Sequence, residues 1–129
     1  MKDKVLTTNG LEKLPRALSS KWPLEINRII LGTSTESPER SQNFLREKVH
    51  EDDEVSTLCS FSQITEDEVA LLGKITVTGG SHVPAGTEVS EFGIGYNDGT
   101  LVQTIVRDPI TVNDNDQIQF NVPFIMDFD

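Results

Sequence analysis

Cysteine, tryptophan and tyrosine occur once each in this chain of 129 residues, and only 11 of its residues are basic. One thiol excludes an intramolecular disulfide. Leu58 and Phe61 flank Cys59 and mark it as a small apolar core residue. No stretch approaches the roughly 18 consecutive apolar residues of a membrane span, and Met1-Lys2-Asp3-Lys4 leads into too short an apolar run for a signal peptide. The sequence therefore predicts a protein made in a cytoplasm, with no membrane partner. Set against 21 acidic residues, the few basic ones leave a net charge of -10, which opposes attachment to phosphate backbones, so nucleic acid is not an expected partner either.

Motifs with a catalytic mechanism are also missing. There is no Gly-x-Ser-x-Gly elbow, and no Gly-Lys-Ser or Gly-Lys-Thr follows a glycine-rich loop. His50 and His82 lie far apart, and neither has a second histidine or a cysteine at metal-ligand spacing. The acidic pairs Glu88/Glu91 and Asp114/Asp116 are what chance gives in so acidic a chain, whereas glycoside hydrolysis needs two carboxylates held across a cleft. No catalytic residue, metal ligand or cofactor site is expected. Two cation candidates are weaker than their ordinary readings. Glu51-Asp52-Asp53-Glu54 lacks the Gly or Asn that turns a calcium loop and reads as a solvated loop, and Asn113-Asp114-Asn115-Asp116 reads as a hairpin loop.

What the chain does carry is strand pattern, most clearly from Glu88 to Phe128. Val89, Phe92 and Ile94 form a first arm, Asn97-Asp98-Gly99 supplies residues that tolerate positive φ, and Leu101 to Val106 runs back as a hairpin. A third strand follows with Ile118, Phe120, Val122, Phe124, Met126 and Phe128 on one parity, which places Phe120 and Phe124 in the core. Earlier candidates are Ile26 to Leu31, Val55 to Phe61 and Leu71 to Thr78. About six strands without intervening helices predict a mainly β fold, an antiparallel sandwich in a single domain over 1–129.

Two short helices are expected near the front. Leu11, Leu14 and Leu18 share a stripe in a helical segment over about 8–20, kinked at Pro15, and Trp22-Pro23 turns the chain after it. With Trp22 that stripe either covers an edge of the β core or meets a partner. Phe44, Leu45 and Val49 among charges suggest a second helix over 38–49.

The order of these features resembles a class of small virion proteins of tailed bacteriophages and archaeal tailed viruses. The residues that carry the resemblance are Thr8-Asn9-Gly10-Leu11, Leu31-Gly32-Thr33 with Pro38, Leu45-Arg46-Glu47, Val89-Ser90-Glu91-Phe92-Gly93-Ile94, Asp98-Gly99-Thr100-Leu101, Pro109-Ile110 and the strand from Ile118 to Phe128. The resemblance implies a non-catalytic β-sandwich subunit of the virion, in the tail, baseplate or fibre, that binds other virion proteins and forms a homo-oligomer such as a trimer, pentamer or hexamer. A head decoration or turret is the alternative within virions. A receptor- or carbohydrate-binding domain is the alternative outside them, with Trp22 and Tyr96 as its only large aromatics with a polar handle. Glu91, next to Gly93, either bonds a backbone amide of the loop near Gly32 or faces solvent; Gly93 and Gly99 read as strand and turn glycines.

Overall fold

The computed structural model describes residues 3–10, 26–53, 59–63 and 70–125. Eight strands occupy them: β1 (Asp3–Leu6), β2 (Ile26–Gly32), β3 (Lys48–Asp53), β4 (Cys59–Gln63), β5 (Ala70–Thr78), β6 (Thr87–Tyr96), β7 (Leu101–Val112) and β8 (Gln117–Ile125). They form a five-stranded sheet, β1-β7-β6-β2-β3, and a three-stranded sheet, β4-β5-β8, with every ladder antiparallel. The mainly β, antiparallel reading holds, with eight strands in place of six.

One apolar cluster lies between the sheets. Ile29, Leu31, Phe92, Ile94 and Ile105 come from the larger sheet, and Cys59, Ile75, Val77, Phe120, Val122 and Phe124 from the smaller. These residues recur at every second position, as a strand with one face on the core requires. Phe92 and Phe120 meet across the gap with ring centroids 5.3 Å apart and planes tilted by 55°. That arrangement brings a ring edge towards a ring face, the geometry aromatic quadrupoles favour.

Several expectations are corrected. The 113–116 segment is not a hairpin loop, because β8 does not pair with β7 but crosses over to pair with β5, from Thr78↔Gln117 to Ala70↔Ile125. Segment 38–49 is not a helix: the amides of Arg46 and Glu47 are bonded to the Glu91 carboxylate, and from Lys48 the chain is already in β3. Glu51, Asp52 and Asp53 are consequently strand residues and not a loop. β3 is an edge strand, where such charges discourage pairing with another chain. β1 had no signal in so short and charged a segment. Of the expected N-terminal helix only the turn Thr8–Gly10 is described; Leu11, Leu14, Leu18 and Trp22 lie outside the described residues, as do Met126 and Phe128.

The β6–β7 turn also differs from a primed hairpin. Gly99 alone in it has positive φ, 92°, while its amide donates to Tyr96 O (2.9 Å) and the Tyr96 amide donates to Thr100 O (2.9 Å). This is a type I turn closed by a left-handed glycine, with a bulge where β7 begins.

Candidate functional site

β6 is buried on both faces from Val89 to Tyr96, which a strand facing only one sheet cannot be. Its inner face carries Phe92, Ile94 and Tyr96. Glu91, Gly93 and Gly95 alternate with them on the outer face, and residues 33–47 cross that face as a strap. A Cβ on Gly93 would sit 2.9 Å from Leu101 Cδ1 and 3.1 Å from Leu45 Cδ2, so the glycine is what lets Leu45 settle onto Ile30 and Leu101.

Glu91 is the peg that holds the strap. Its side chain is 1% exposed, its Oε2 accepts the Arg46 amide at 2.6 Å and its Oε1 the Glu47 amide at 3.1 Å. A Cβ on Gly32 would run into Oε1, so the carboxylate occupies the space which that glycine leaves empty. Other bonds fix the rest of the strap. Ser90 Oγ donates to Ser34 O at 2.8 Å, the Thr33 amide to Glu47 O at 3.0 Å and the Thr8 amide to Arg40 O at 2.9 Å. Asn9 Nδ2 bonds Asn43 Oδ1, and Arg46 Nη2 reaches Ser37 O at 2.7 Å.

On this fixed strap Phe44 points outward, 80% exposed, beside a fully seated Leu45. Two hollows of about 320 Å³ flank its ring. One lies between Asn9, Asn43, Asp98 and Thr100, the other between Ile30, Leu45, Lys48 and Glu51; Gly99 and Leu101 border both. The rim is polar and of mixed charge. Arg28 Nη1 pairs with Glu51 Oε2 at 2.9 Å and Lys48 Nζ lies 3.8 Å from Glu51 Oε1. An exposed ring between one polar and one largely apolar hollow, carried on bonded backbone, suits a protein contact: it offers a large apolar side chain on a segment whose backbone ordering cost has already been met by folding.

The other chemistry-bearing groups are placed differently. His50 and His82, distant in sequence, have ring centroids 5.7 Å apart, and His50 Nε2 bonds Asp52 Oδ2. His82 Nδ1 accepts the Thr78 amide at 2.8 Å, which fixes the proton of the neutral ring on Nε2. A metal at Nε2 would need that nitrogen free of its proton, so the tautomer opposes ligation. Among the described residues no group of three or more His, Cys, Asp or Glu could hold a metal ion. The 113–116 turn spends its groups on itself and on Gly79: Asp116 Oδ2 accepts the Asn113 amide at 3.1 Å, and the Gly79 amide donates to Asp116 O at 3.0 Å.

Tyr96 is wholly buried, and its hydroxyl donates to Gly10 O at 2.8 Å, so it is a tether for the N-terminal turn and offers no ring to a sugar. Burial, and secondarily the charge of Asp98, push its pKa up to about 12. Arg107 lies 5.1 Å from the Phe92 ring centroid and donates to Asn121 O at 2.8 Å, closing one side of the sandwich; burial lowers its pKa from the usual arginine value. Phe120 and Phe124 are core residues. Sequence reasoning missed Phe44 as a surface feature, since its spacing with Leu45 and Val49 reads as one helical face.

No family model matches the chain, and no curated protein or solved structure matches it.

Proposed function

We propose that this chain is a non-catalytic structural subunit of a tailed-virus particle, placed in the tail, baseplate or fibre, which contacts neighbouring proteins through the Phe44 platform. The observation that carries the contact reading is the 80% exposure of Phe44 on a strap whose amides are fixed by a buried carboxylate. Leaving such a ring in water forgoes about 1.5–3 kcal/mol of burial, which an interface recovers when the ring is covered. The virion setting draws its support from the resemblance of the motifs between Thr8 and Phe128, and from a net charge that disfavours nucleic acid and anionic membranes. The burial of Tyr96 takes a candidate aromatic away from the carbohydrate-binding alternative.

Particles purified on a density gradient from an infected culture test this reading. Peptides of the chain recovered in the particle fraction, at many copies per genome, are expected. Their absence from particles, with the chain abundant in the soluble fraction, would overturn it.

A further inference from the structure

Of the chain's seven asparagines only Asn9 is followed by glycine. An Asn-Gly pair is the sequence most prone to close a cyclic imide in water, because glycine has no side chain to hinder its amide nitrogen from attacking the preceding side-chain carbonyl. Yet neither residue is free to change in this fold. A Cβ on Gly10 would lie 2.6 Å from Val102 Cα, and Asn9 Nδ2 donates to Asn43 Oδ1 on the strap. The residues on either side hold the same junction: the Thr8 amide donates to Arg40 O at 2.9 Å and the Tyr96 hydroxyl to Gly10 O at 2.8 Å. A reactive pair is therefore built into the anchor of the strap.

The same geometry restrains it. Thr7 is fully buried, and its Oγ1 accepts the Gly10 amide at 3.0 Å while its hydroxyl donates to Leu101 O. This is the bond an N-cap threonine makes to the third amide of the turn it opens. The nitrogen that would attack is thus engaged by Thr7, and the side-chain amide it would attack is engaged by Asn43. Asp98-Gly99, the chain's one Asp-Gly pair, borders the same hollow and is engaged likewise: the Gly99 amide donates to Tyr96 O and Asp98 Oδ1 accepts the Thr100 amide, both at 2.9 Å.

We infer that Asn9 is a latent deamidation site, closed in the folded chain by the Thr7 hydroxyl. When the Thr7 bond opens, hydroxide takes the Gly10 amide proton and the nitrogen bonds to Asn9 Cγ. The Cγ–Nδ2 bond breaks, and the leaving group takes a proton from water to depart as ammonia. Water then opens the imide at either carbonyl, giving aspartate or isoaspartate at position 9. Aspartate preserves the backbone, and a rotated Asn43 amide can donate to the new carboxylate. Isoaspartate routes the main chain through the side chain and adds a methylene between residues 9 and 10, which puts the Thr8–Arg40 and Gly10–Tyr96 bonds out of register. The state of Asn9 thereby sets whether the strap stays anchored.

The test incubates the chain at mildly alkaline pH and follows Asn9 by peptide mass mapping with isoaspartate detection. Folded wild type, guanidinium-unfolded wild type, Thr7→Val and Thr7→Ser are compared, and circular dichroism shows which variants fold. In the unfolded chain Asn9 is expected to be the first asparagine to change, and in the folded chain the same change should be many times slower. Thr7→Val keeps the shape without the acceptor and should speed the folded reaction about fivefold, the factor that one neutral hydrogen bond represents, whereas Thr7→Ser should stay at the wild-type rate. Hydrogen exchange at the Gly10 amide measures the same opening in the unaltered chain, and its protection should match the slowing of deamidation. It decides the matter if Thr7→Val does not fold. An unprotected Gly10 amide, equal rates in the folded and unfolded chain, or a folded Thr7→Val at the wild-type rate would overturn the inference.

Discussion

Replacing Glu91 probes the structural claim on which the Phe44 platform depends. Its carboxylate accepts two backbone amides, at 2.6 and 3.1 Å, in a site closed to water. Hydrogen bonds to a charged group contribute about 1.5–3 kcal/mol each, so removing both in Glu91→Ala should cost about 3–6 kcal/mol. With a urea m-value of about 1.5 kcal/mol per molar, the midpoint would fall by about 2–4 M. Glu91→Gln keeps the shape but turns an NH2 group towards one of the two amides, so about half of the loss is expected. Gly32→Ala should also destabilise, because the new methyl meets Glu91 Oε1. The two sites touch, so Gly32→Ala with Glu91→Ala should cost less than the sum of the single changes. Urea titration followed by far-ultraviolet circular dichroism measures all four variants. A Glu91→Ala midpoint within about 0.3 M of wild type, equivalent to the loss of about 0.5 kcal/mol of an ordinary surface substitution, would refute the peg.

Phe120→Ala and Phe124→Ala should each cost about 3–5 kcal/mol by denaturation, since both side chains are buried between the sheets; unchanged midpoints would place the core on the wrong face of β8. Gly99→Val should lose about 1–2 kcal/mol more than Thr100→Val, because only Gly99 needs a left-handed backbone, and equal losses would count against the turn. Tyr96 makes alkaline stability informative. Its folded pKa of about 12 lies above the unfolded value near 10, so the unfolded chain gives up the proton first. Its contribution is whole below pH 10 and is lost as the pH rises towards 12. Tyr96→Phe should therefore show a shallower fall over that window in pH-dependent melting, and an identical slope would contradict the assignment.

The parts legible in the sequence were those set by local pattern. Alternation at Phe92, Ile94, Phe120, Val122 and Phe124 points to the core face of two strands, and Asn97-Asp98-Gly99 to the turn between β6 and β7. What stayed hidden depends on contacts distant in sequence. β8 has the same alternation whether it extends the hairpin's sheet or pairs with β5, and only the second layer decides. The segment 38–49 has helical spacing, but Glu91, forty-four residues beyond Glu47, captures its amides. Glycines 93 and 95 looked like strand glycines, which they are. The purpose of Gly93, making room for Leu45 beneath the strap, became visible only when the strap was in place.

Incorporation into particles tests the account most directly. Wild-type and Phe44→Asp chains, distinguished by tags, are expressed together during infection, and particles are separated from free protein on a density gradient. The account predicts wild type in the particle fraction and Phe44→Asp left in the free fraction with an unchanged melting temperature. Equal incorporation of both chains, or exclusion of both, would contradict it.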